Sequence, residues 1–331
     1  MQSMEVLVQP LRKVIEVPPG ANLLDALRAA QVPMSYSCLA GRCGTCRCKV
    51  LSGEVLDAGR QQQNPLDACD AYVLACQTFL TEPCTIEIPE PDEIVVHPAC
   101  ALKATVQSVE SMTHDVKRLV LKPALPFEFS PGQYAELRFT RELARPYAMA
   151  GLSGEPTLEF HLRVVPGGRA SGYVANQLKV GDTVRVSGPL GTAYLRRRHA
   201  GPILCAAGGT GLAPVLAIVR GAIASRMRNP IHLYIAARSP RDVYGLERVR
   251  HLQREHPALQ LQVSVSAGNG HGEYRRGLIV EAIEQDLGSL AGWQAYLYGS
   301  PPMVEATAVL ARRKGLEAGR IHAEAFYTPP S

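Results

Sequence analysis

Ser37-Cys38-Leu39-Ala40-Gly41-Arg42-Cys43-Gly44-Thr45-Cys46 sets three cysteines at C-x4-C-x2-C, and Val73-Leu74-Ala75-Cys76-Gln77 supplies a fourth. Three sulfurs on one tight loop can converge on a common centre only if the backbone between them curls around it. Gly41 and Gly44 permit that curl because they lack a Cβ. Loop N–H groups turned inward then donate to the sulfurs and stabilise negative charge there.

Cysteines this close together could also serve a zinc site or disulfides. Zinc loops favour two short ligand pairs, and no second short cysteine pair follows Cys46. A C-x4-C-x2-C run with one distant cysteine is instead the ligand spacing of a plant-type 2Fe-2S cluster. The expected ligands are Cys38, Cys43, Cys46 and Cys76. Cys48 and Cys69 would break that spacing and read as structural thiols.

The chain has 331 residues, enough for two or three domains with separate cores. Its nine cysteines are an odd number, and the five outside the cluster set (Cys48, Cys69, Cys84, Cys100 and Cys205) read as reduced thiols of a cytoplasmic protein. The longest apolar runs, near 202–207 and 212–219, are too short to span a bilayer, and no signal-peptide pattern opens the chain, so no membrane association is expected. The net charge of +5 is unevenly spread. Residues 1–95 hold 7 Lys and Arg against 12 Asp and Glu, whereas the remainder holds 28 against 18. Only Arg196-Arg197-Arg198 is clustered and no nucleic-acid motif accompanies it, so the basic part reads as a solvated surface or a docking patch for an acidic protein, with no nucleic acid expected.

Alternation over 4–8 and 14–17 around Gln9-Pro10-Leu11-Arg12 predicts a hairpin. Leu23, Leu24, Ala26, Leu27 and Ala30 follow at helical spacing behind Asn22, a candidate N-cap. With strands at 46–51 and 84–88 these elements compose an α+β ferredoxin-like (β-grasp) domain over 1–93, followed by a Pro-rich linker at 89–99. Short strands at 102–109, 116–121, 132–139, 147–150, 157–165 and 183–188 predict an antiparallel β-barrel over 94–199. From 200 to 331, strands at 202–206, 232–237, 260–266, 294–298 and 320–325 alternate with helices at 212–226, 245–255, 278–287 and 303–314. That alternation predicts an α/β doubly wound parallel sheet.

Cys205-Ala206-Ala207-Gly208-Gly209-Thr210-Gly211-Leu212-Ala213-Pro214 lies between the first parallel strand and its helix. Glycines there let backbone approach a pyrophosphate, and the helix N-terminus favours its charge; close packing is the competing reason for them. Arg145-Pro146-Tyr147 offers a cation for phosphate and an aromatic face for a ring system, and Gly167-Gly168-Arg169-Ala170-Ser171 offers backbone N–H groups for a second phosphate cluster.

With the cysteine loop ahead of them, these motifs, Gly188-Pro189-Leu190-Gly191 and Gly208-Gly209-Thr210-Gly211 resemble the ferredoxin-NAD(P) reductase superfamily with an N-terminal ferredoxin domain. Ser35-Tyr36-Ser37-Cys38, residues 187–195 and residues 210–216 make the chain similar, more narrowly, to reductase components of bacterial aromatic-ring-hydroxylating dioxygenases of the naphthalene dioxygenase type. The resemblance implies FAD in the barrel and a nicotinamide dinucleotide on the parallel sheet. Arg145 would bind FAD phosphate, Tyr147 would lie against the isoalloxazine beside Ala148, and Gly168, Arg169 and Ser171 would hold the pyrophosphate. Gly208, Gly209, Thr210 and Gly211 would cradle the nicotinamide nucleotide, with Gly299 and Met303 flanking its pocket. Glu324-Ala325-Phe326 resembles the family's acidic-x-aromatic ending, which places Glu324 near the flavin and Phe326 where the nicotinamide enters.

Two positions depart from the family pattern. Ala148 stands where a Ser usually donates to the flavin, and Tyr298 stands where a Cys usually lines the hydride path. The implied activity is transfer from NAD(P)H through FAD to 2Fe-2S and on to a Rieske ferredoxin or terminal oxygenase. Flavin is needed because the nucleotide yields two electrons together while the cluster takes one. Arg42, beside the cluster loop, is a candidate contact for that acceptor. Arg238 at the end of the second parallel strand, with Asp242 shortly after, leans toward NADH with NADPH tolerated. The competing readings are the reductase of a di-iron monooxygenase and, from another class, a non-enzymatic electron carrier or redox sensor.

Overall fold

The computed structural model describes residues 3–34, 41, 46–58, 72–88, 97, 99–267 and 274–327. The chain divides into two compact units, residues 1–100 with 188–192 and residues 101–187 with 193–331.

In the first unit, β1 (Met4–Gln9) and β2 (Lys13–Val17) form the expected antiparallel hairpin. Then come α1 (Leu23–Ala29), β3 (Arg47–Ser52), β4 (Val55–Asp57), β5 (Tyr72–Leu74), β6 (Thr78–Leu80) and β7 (Cys84–Glu87). The main sheet runs β2-β1-β7-β3-β5, with β1 and β7 parallel, and β4 pairs separately with β6. Leu23, Leu24 and Leu27 of α1 are buried with Val6, Val8 and Ile86 in one core. Asn22 caps α1 by accepting from the Asp25 N–H at 3.2 Å, and its Nδ2 donates to the Cys76 carbonyl at 3.1 Å. One side chain thus starts the helix and ties it to the segment carrying the fourth cysteine. The short strands β4, β5 and β6 have too little alternation to show in the sequence. The expected linker at 89–99 lies almost wholly outside the described residues.

Next along the chain come β8 (Cys100–Ser111), β9 (Val116–Pro123), β10 (Tyr134–Arg138), β11 (Ala144–Ala148), β12 (Leu158–Arg163), α2 (Arg169–Asn176) and β13 (Thr183–Leu190). Their sheet runs β11-β10-β13-β8-β9-β12, and a bridge between Met149 and Phe160 brings its two ends together as a near-closed barrel. Val106, Leu119, Leu121, Leu137, Met149 and Phe160 fill its interior. Helix α2 lies where the sequence showed only a glycine-rich turn.

The parallel sheet follows: β14 (Ile203–Gly208), α3 (Leu212–Ala224), β15 (Ile231–Ala237), α4 (Leu246–Glu255), β16 (Leu259–Val265), β17 (Arg275–Arg276), α5 (Ile279–Asp286), β18 (Gln294–Gly299), α6 (Pro301–Arg313) and β19 (Ile321–Ala325). Its order is β17-β16-β15-β14-β18-β19. The strand order reverses at β14, which pairs in parallel with β15 on one side and β18 on the other. Ligand crevices of open α/β sheets form at such a switch point, outside the carboxyl ends of the strands.

Candidate cofactor and nucleotide sites

Of the four expected cluster ligands, Cys46 and Cys76 are buried, while Cys38 and Cys43 lie outside the described residues, as do Arg42 and Cys69. The Cys76 N–H donates to Cys46 Sγ at 3.4 Å, so two cysteines 30 positions apart share one neighbourhood with a backbone donor on sulfur. Gly41 has φ +72°, and a Cβ there would press on Cγ of Gln77 at 2.8 Å. Glycine is therefore required at that point of the loop. Cys48, Cys84, Cys100 and Cys205 are free thiols. Burial pushes the Cys48 thiol up to about 12, with Cys84 adding to the shift, which suits an inert packing residue. The donor set fits a thiolate-held cluster and leaves Cys48 outside it.

On the barrel, Arg145 and Tyr147 alternate along β11, opposite Leu137 and Ala135. Tyr147 meets Phe139 edge to face at 6.3 Å, and burial raises its hydroxyl to about 12, so the ring is held by packing. Arg145 is exposed and donates to its neighbour's carbonyl, that of Ala144, at 2.8 Å. Ala148 is 7% exposed and faces Tyr134 across the ladder. Gly168 is the N-cap of α2, which turns the expected loop into a helix start whose first N–H groups lack intrahelical partners. The Ser171 hydroxyl is already engaged, accepting from the Val165 N–H at 3.1 Å and donating to the Gly168 carbonyl at 3.4 Å. Arg169 is exposed and pairs with Glu142 at 3.2 Å. A flavin phosphate at this helix start would thus meet backbone donors, with Arg169 reachable by exchange from a surface pair.

At the switch point, Gly208 ends β14 and Gly209-Thr210-Gly211 forms a single 3-10 turn leading into α3. A Cβ on Gly211 would run into the Tyr298 carbonyl, and one on Gly208 would lie 2.7 Å from Met303 Sδ. A Cβ on Gly299 would lie 3.1 Å from the Gly208 Cα. The glycines bring the ends of β14 and β18 against one another, so close packing and an open cradle are here the same property. The Phe326 N–H donates to the Gly299 carbonyl at 2.7 Å, which holds the C-terminal segment along this edge. Arg238 follows β15, where its carbonyl accepts from the Ala267 N–H at 2.7 Å. Asp242 caps its own turn, accepting from the Ser239 N–H at 2.8 Å and hydroxyl at 2.6 Å.

Glu324 of β19 stands opposite Tyr298 of β18. Its Oε1 is enclosed with no hydrogen-bond partner among the described residues, and burial pushes the carboxyl well above its ordinary range. An orphaned acceptor at a strand end beside the crevice suits a ligand that brings its own donor. Tyr298 does not offer its hydroxyl to a ligand: that group donates to the carbonyls of Ala193 and Gly132 (3.3 Å for the latter) and is buried completely.

Sequence reasoning missed a second polar cluster, formed by Glu159, His161, Tyr244 and Arg248. Its members are dispersed between positions 159 and 248 with no motif, and only the packing of β12 against the α4 region assembles them. Among the described residues no helix is long and apolar enough to cross a membrane.

Comparison with known proteins agrees with this geometry. Residues 6–81 match the 2Fe-2S iron-sulfur cluster binding domain, 103–194 the oxidoreductase FAD-binding domain and 206–308 the oxidoreductase NAD-binding domain. The chain is 55% identical, over 98% of its length and 99% of the relative, to a Ralstonia ferredoxin--NAD(P)(+) reductase component of naphthalene 1,2-dioxygenase/salicylate 5-hydroxylase systems. It is 53% identical, over 98% and 99%, to the Pseudomonas putida reductase component of the naphthalene 1,2-dioxygenase system. Among solved structures, an Amycolatopsis cytochrome P450 reductase matches with a TM-score of 0.72 at 34% identity, covering 98% of each chain. The chain therefore belongs to the ferredoxin–NAD(P)(+) reductase components, flavoprotein oxidoreductases that carry a 2Fe-2S domain ahead of their FAD- and NAD-binding domains.

Proposed function

We propose that the chain is the cytoplasmic reductase of an aromatic-ring-hydroxylating dioxygenase system, drawing on NADH and delivering electrons to a Rieske-type ferredoxin or directly to the terminal oxygenase. In this reading domain boundaries fall near residues 93 and 199. The observation that carries the nucleotide half is the switch-point cradle: Gly208 against Gly299, Gly211 against the Tyr298 carbonyl, and the orphaned Glu324 Oε1 at the same strand ends. The acceptor assignment is supported by the 55% and 53% identity to reductase components named for naphthalene dioxygenase systems.

Bound flavin would supply two-electron acceptance and one-electron release, the chemistry needed to match a nucleotide donor to the one-electron capacity of a 2Fe-2S cluster. The chain's own residues bind and orient. Arg145 pairs with flavin phosphate, and Tyr147, fixed by Phe139, presents its ring to the isoalloxazine next to Ala148. The helix start at Gly168, Arg169 and Ser171 takes the pyrophosphate. Gly208, Gly209, Thr210 and Gly211 seat the NADH pyrophosphate, Arg238 lies on its adenosine side, and Gly299 and Met303 bound the nicotinamide pocket. Burial favours the protonated form of the Glu324 carboxyl, and Phe326 covers the entry. Cys38, Cys43, Cys46 and Cys76 hold the cluster.

Reconstitution tests the acceptor. The protein with NADH and a Rieske ferredoxin plus its dioxygenase is expected to support dihydroxylation of an aromatic hydrocarbon. Turnover only with a di-iron hydroxylase would replace this reading with the monooxygenase one.

A further inference from the structure

The second polar cluster reaches the nucleotide turn. Glu159 and His161, two residues apart on β12, are 7% and 2% exposed. Glu159 accepts from Arg118 at 2.8 Å, from both terminal nitrogens of Arg248 (3.0 Å for Nη2) and from His161 Nε2 at 2.9 Å. An ionised carboxylate only accepts, so Nε2 must carry the hydrogen. Nδ1 of the neutral ring is then left as an acceptor. It lies 3.1 Å from the Tyr244 hydroxyl, and the two rings meet at 5.4 Å and 70°. The hydroxyl carries one hydrogen, which two acceptors therefore share as a three-centre bond: Nδ1 and the Gly209 carbonyl oxygen, the latter at 3.3 Å.

Gly209 opens the glycine turn, and its carbonyl also accepts from the Leu212 N–H at the start of α3. A trans peptide is planar, with C=O and the following N–H pointing opposite ways. Whatever fixes the direction of the Gly209 carbonyl therefore fixes the opposite, in-plane direction of the Thr210 N–H. Gly209 has φ +55° and no atom within 4 Å of where a Cβ would be, so no side chain of its own pins this peptide.

We infer that Tyr244 is a positioning residue for the dinucleotide turn: its hydroxyl, anchored on His161 Nδ1 by the hydrogen it shares with the Gly209 carbonyl, holds the Gly209 peptide in the plane that presents the Thr210 N–H to the nucleotide pyrophosphate. The inference rests on the reading that Gly208–Gly211 seats that pyrophosphate, and two variants separate the two ideas. Tyr244→Phe removes one oxygen and keeps the ring. Gly209→Asn keeps a residue type that tolerates positive φ but fills the cradle.

The probe is NAD+ binding to the holoprotein by isothermal titration calorimetry, read beside flavin content and thermal midpoint, with steady-state reduction of ferricyanide by NADH. Loss of one such hydrogen bond is expected to raise the NAD+ dissociation constant of Tyr244→Phe roughly three- to tenfold. KM for NADH should rise in parallel, while kcat at saturating NADH, flavin content and midpoint stay near wild type. Amide exchange of residues 209–211 should quicken in this variant, a change that a packing role elsewhere in the ring would not produce. Gly209→Asn should lose measurable NAD+ binding and keep its flavin. An unchanged dissociation constant in Tyr244→Phe, with Gly209→Asn defective, overturns the positioning role and leaves the seat standing. Wild-type affinity in Gly209→Asn overturns the seat, and the positioning role with it.

Discussion

Tyr298 and Glu324 face each other on adjacent parallel strands, β18 and β19, and have opposite polar states. The Tyr298 hydroxyl serves two backbone carbonyls, whereas Glu324 Oε1 is enclosed without a partner among the described residues. The residue replacing the family's usual Cys thus works as an internal tie, joining the parallel sheet to the barrel carbonyl of Gly132 and the connecting-segment carbonyl of Ala193. On the neighbouring strand the Glu324 carboxyl keeps one oxygen with no hydrogen-bond partner among the described residues.

Glu324→Gln should change the pH dependence of stability. Burial raises the folded-state pKa of Glu324 above its unfolded value, so the fold favours the protonated form. That stabilisation is complete below about pH 4, the unfolded carboxyl range, and is lost as pH rises. The glutamine variant cannot ionise. Thermal melts of the two proteins should coincide below about pH 4 and separate progressively as pH rises above the unfolded carboxyl range, with the variant the more stable. A gap of the same size at every pH would refute the buried, proton-holding carboxyl.

Tyr298→Phe should strip the Gly132 and Ala193 carbonyls of a donor while leaving the ring in place. A buried acceptor deprived of its partner costs about 1–3 kcal/mol, to be measured by denaturant unfolding of the holoprotein. Tyr298→Cys, which restores the family's usual residue, should cost more because it also opens a cavity where a fully buried ring stood. Equal stability of the cysteine variant would show that the ring is not part of the packing.

Cys76→Ser should lose the cluster's visible absorbance and keep the flavin. Ferricyanide reduction by NADH, which needs only the flavin half, should persist near the wild-type rate. Cytochrome c reduction, which is expected to pass through the cluster, should collapse. Undiminished cytochrome c reduction in this variant would reverse the proposed order of carriers.

Much of this was legible in the sequence because it rests on local pattern. Helices at 212–226 and 303–314 were expected from strand-helix alternation, and the structure has them at Leu212–Ala224 and Pro301–Arg313. The glycine turn at 208–211 was equally visible, since close approach of two strand ends demands missing Cβ atoms. The helix at Arg169–Asn176 was not, because its start coincides with a glycine-rich stretch and it contributes only Ala170, Ser171 and Val174 to the interior. The tie made by Tyr298 and the link from Glu159 through His161 and Tyr244 to Gly209 were invisible for another reason. Each joins residues tens to more than a hundred positions apart, and their chemistry appears only when β12, β18 and the turns beside them are packed.

Anaerobic titration of the purified protein with NADH, followed by visible absorbance with iron and flavin quantified beforehand, tests the central claim most directly. The expected result is one FAD and two iron atoms per chain, bleaching of the flavin band by NADH, and loss of the cluster absorbance in the same titration. A preparation in which NADH bleaches the flavin and leaves the cluster oxidised, or bleaches neither, would contradict it.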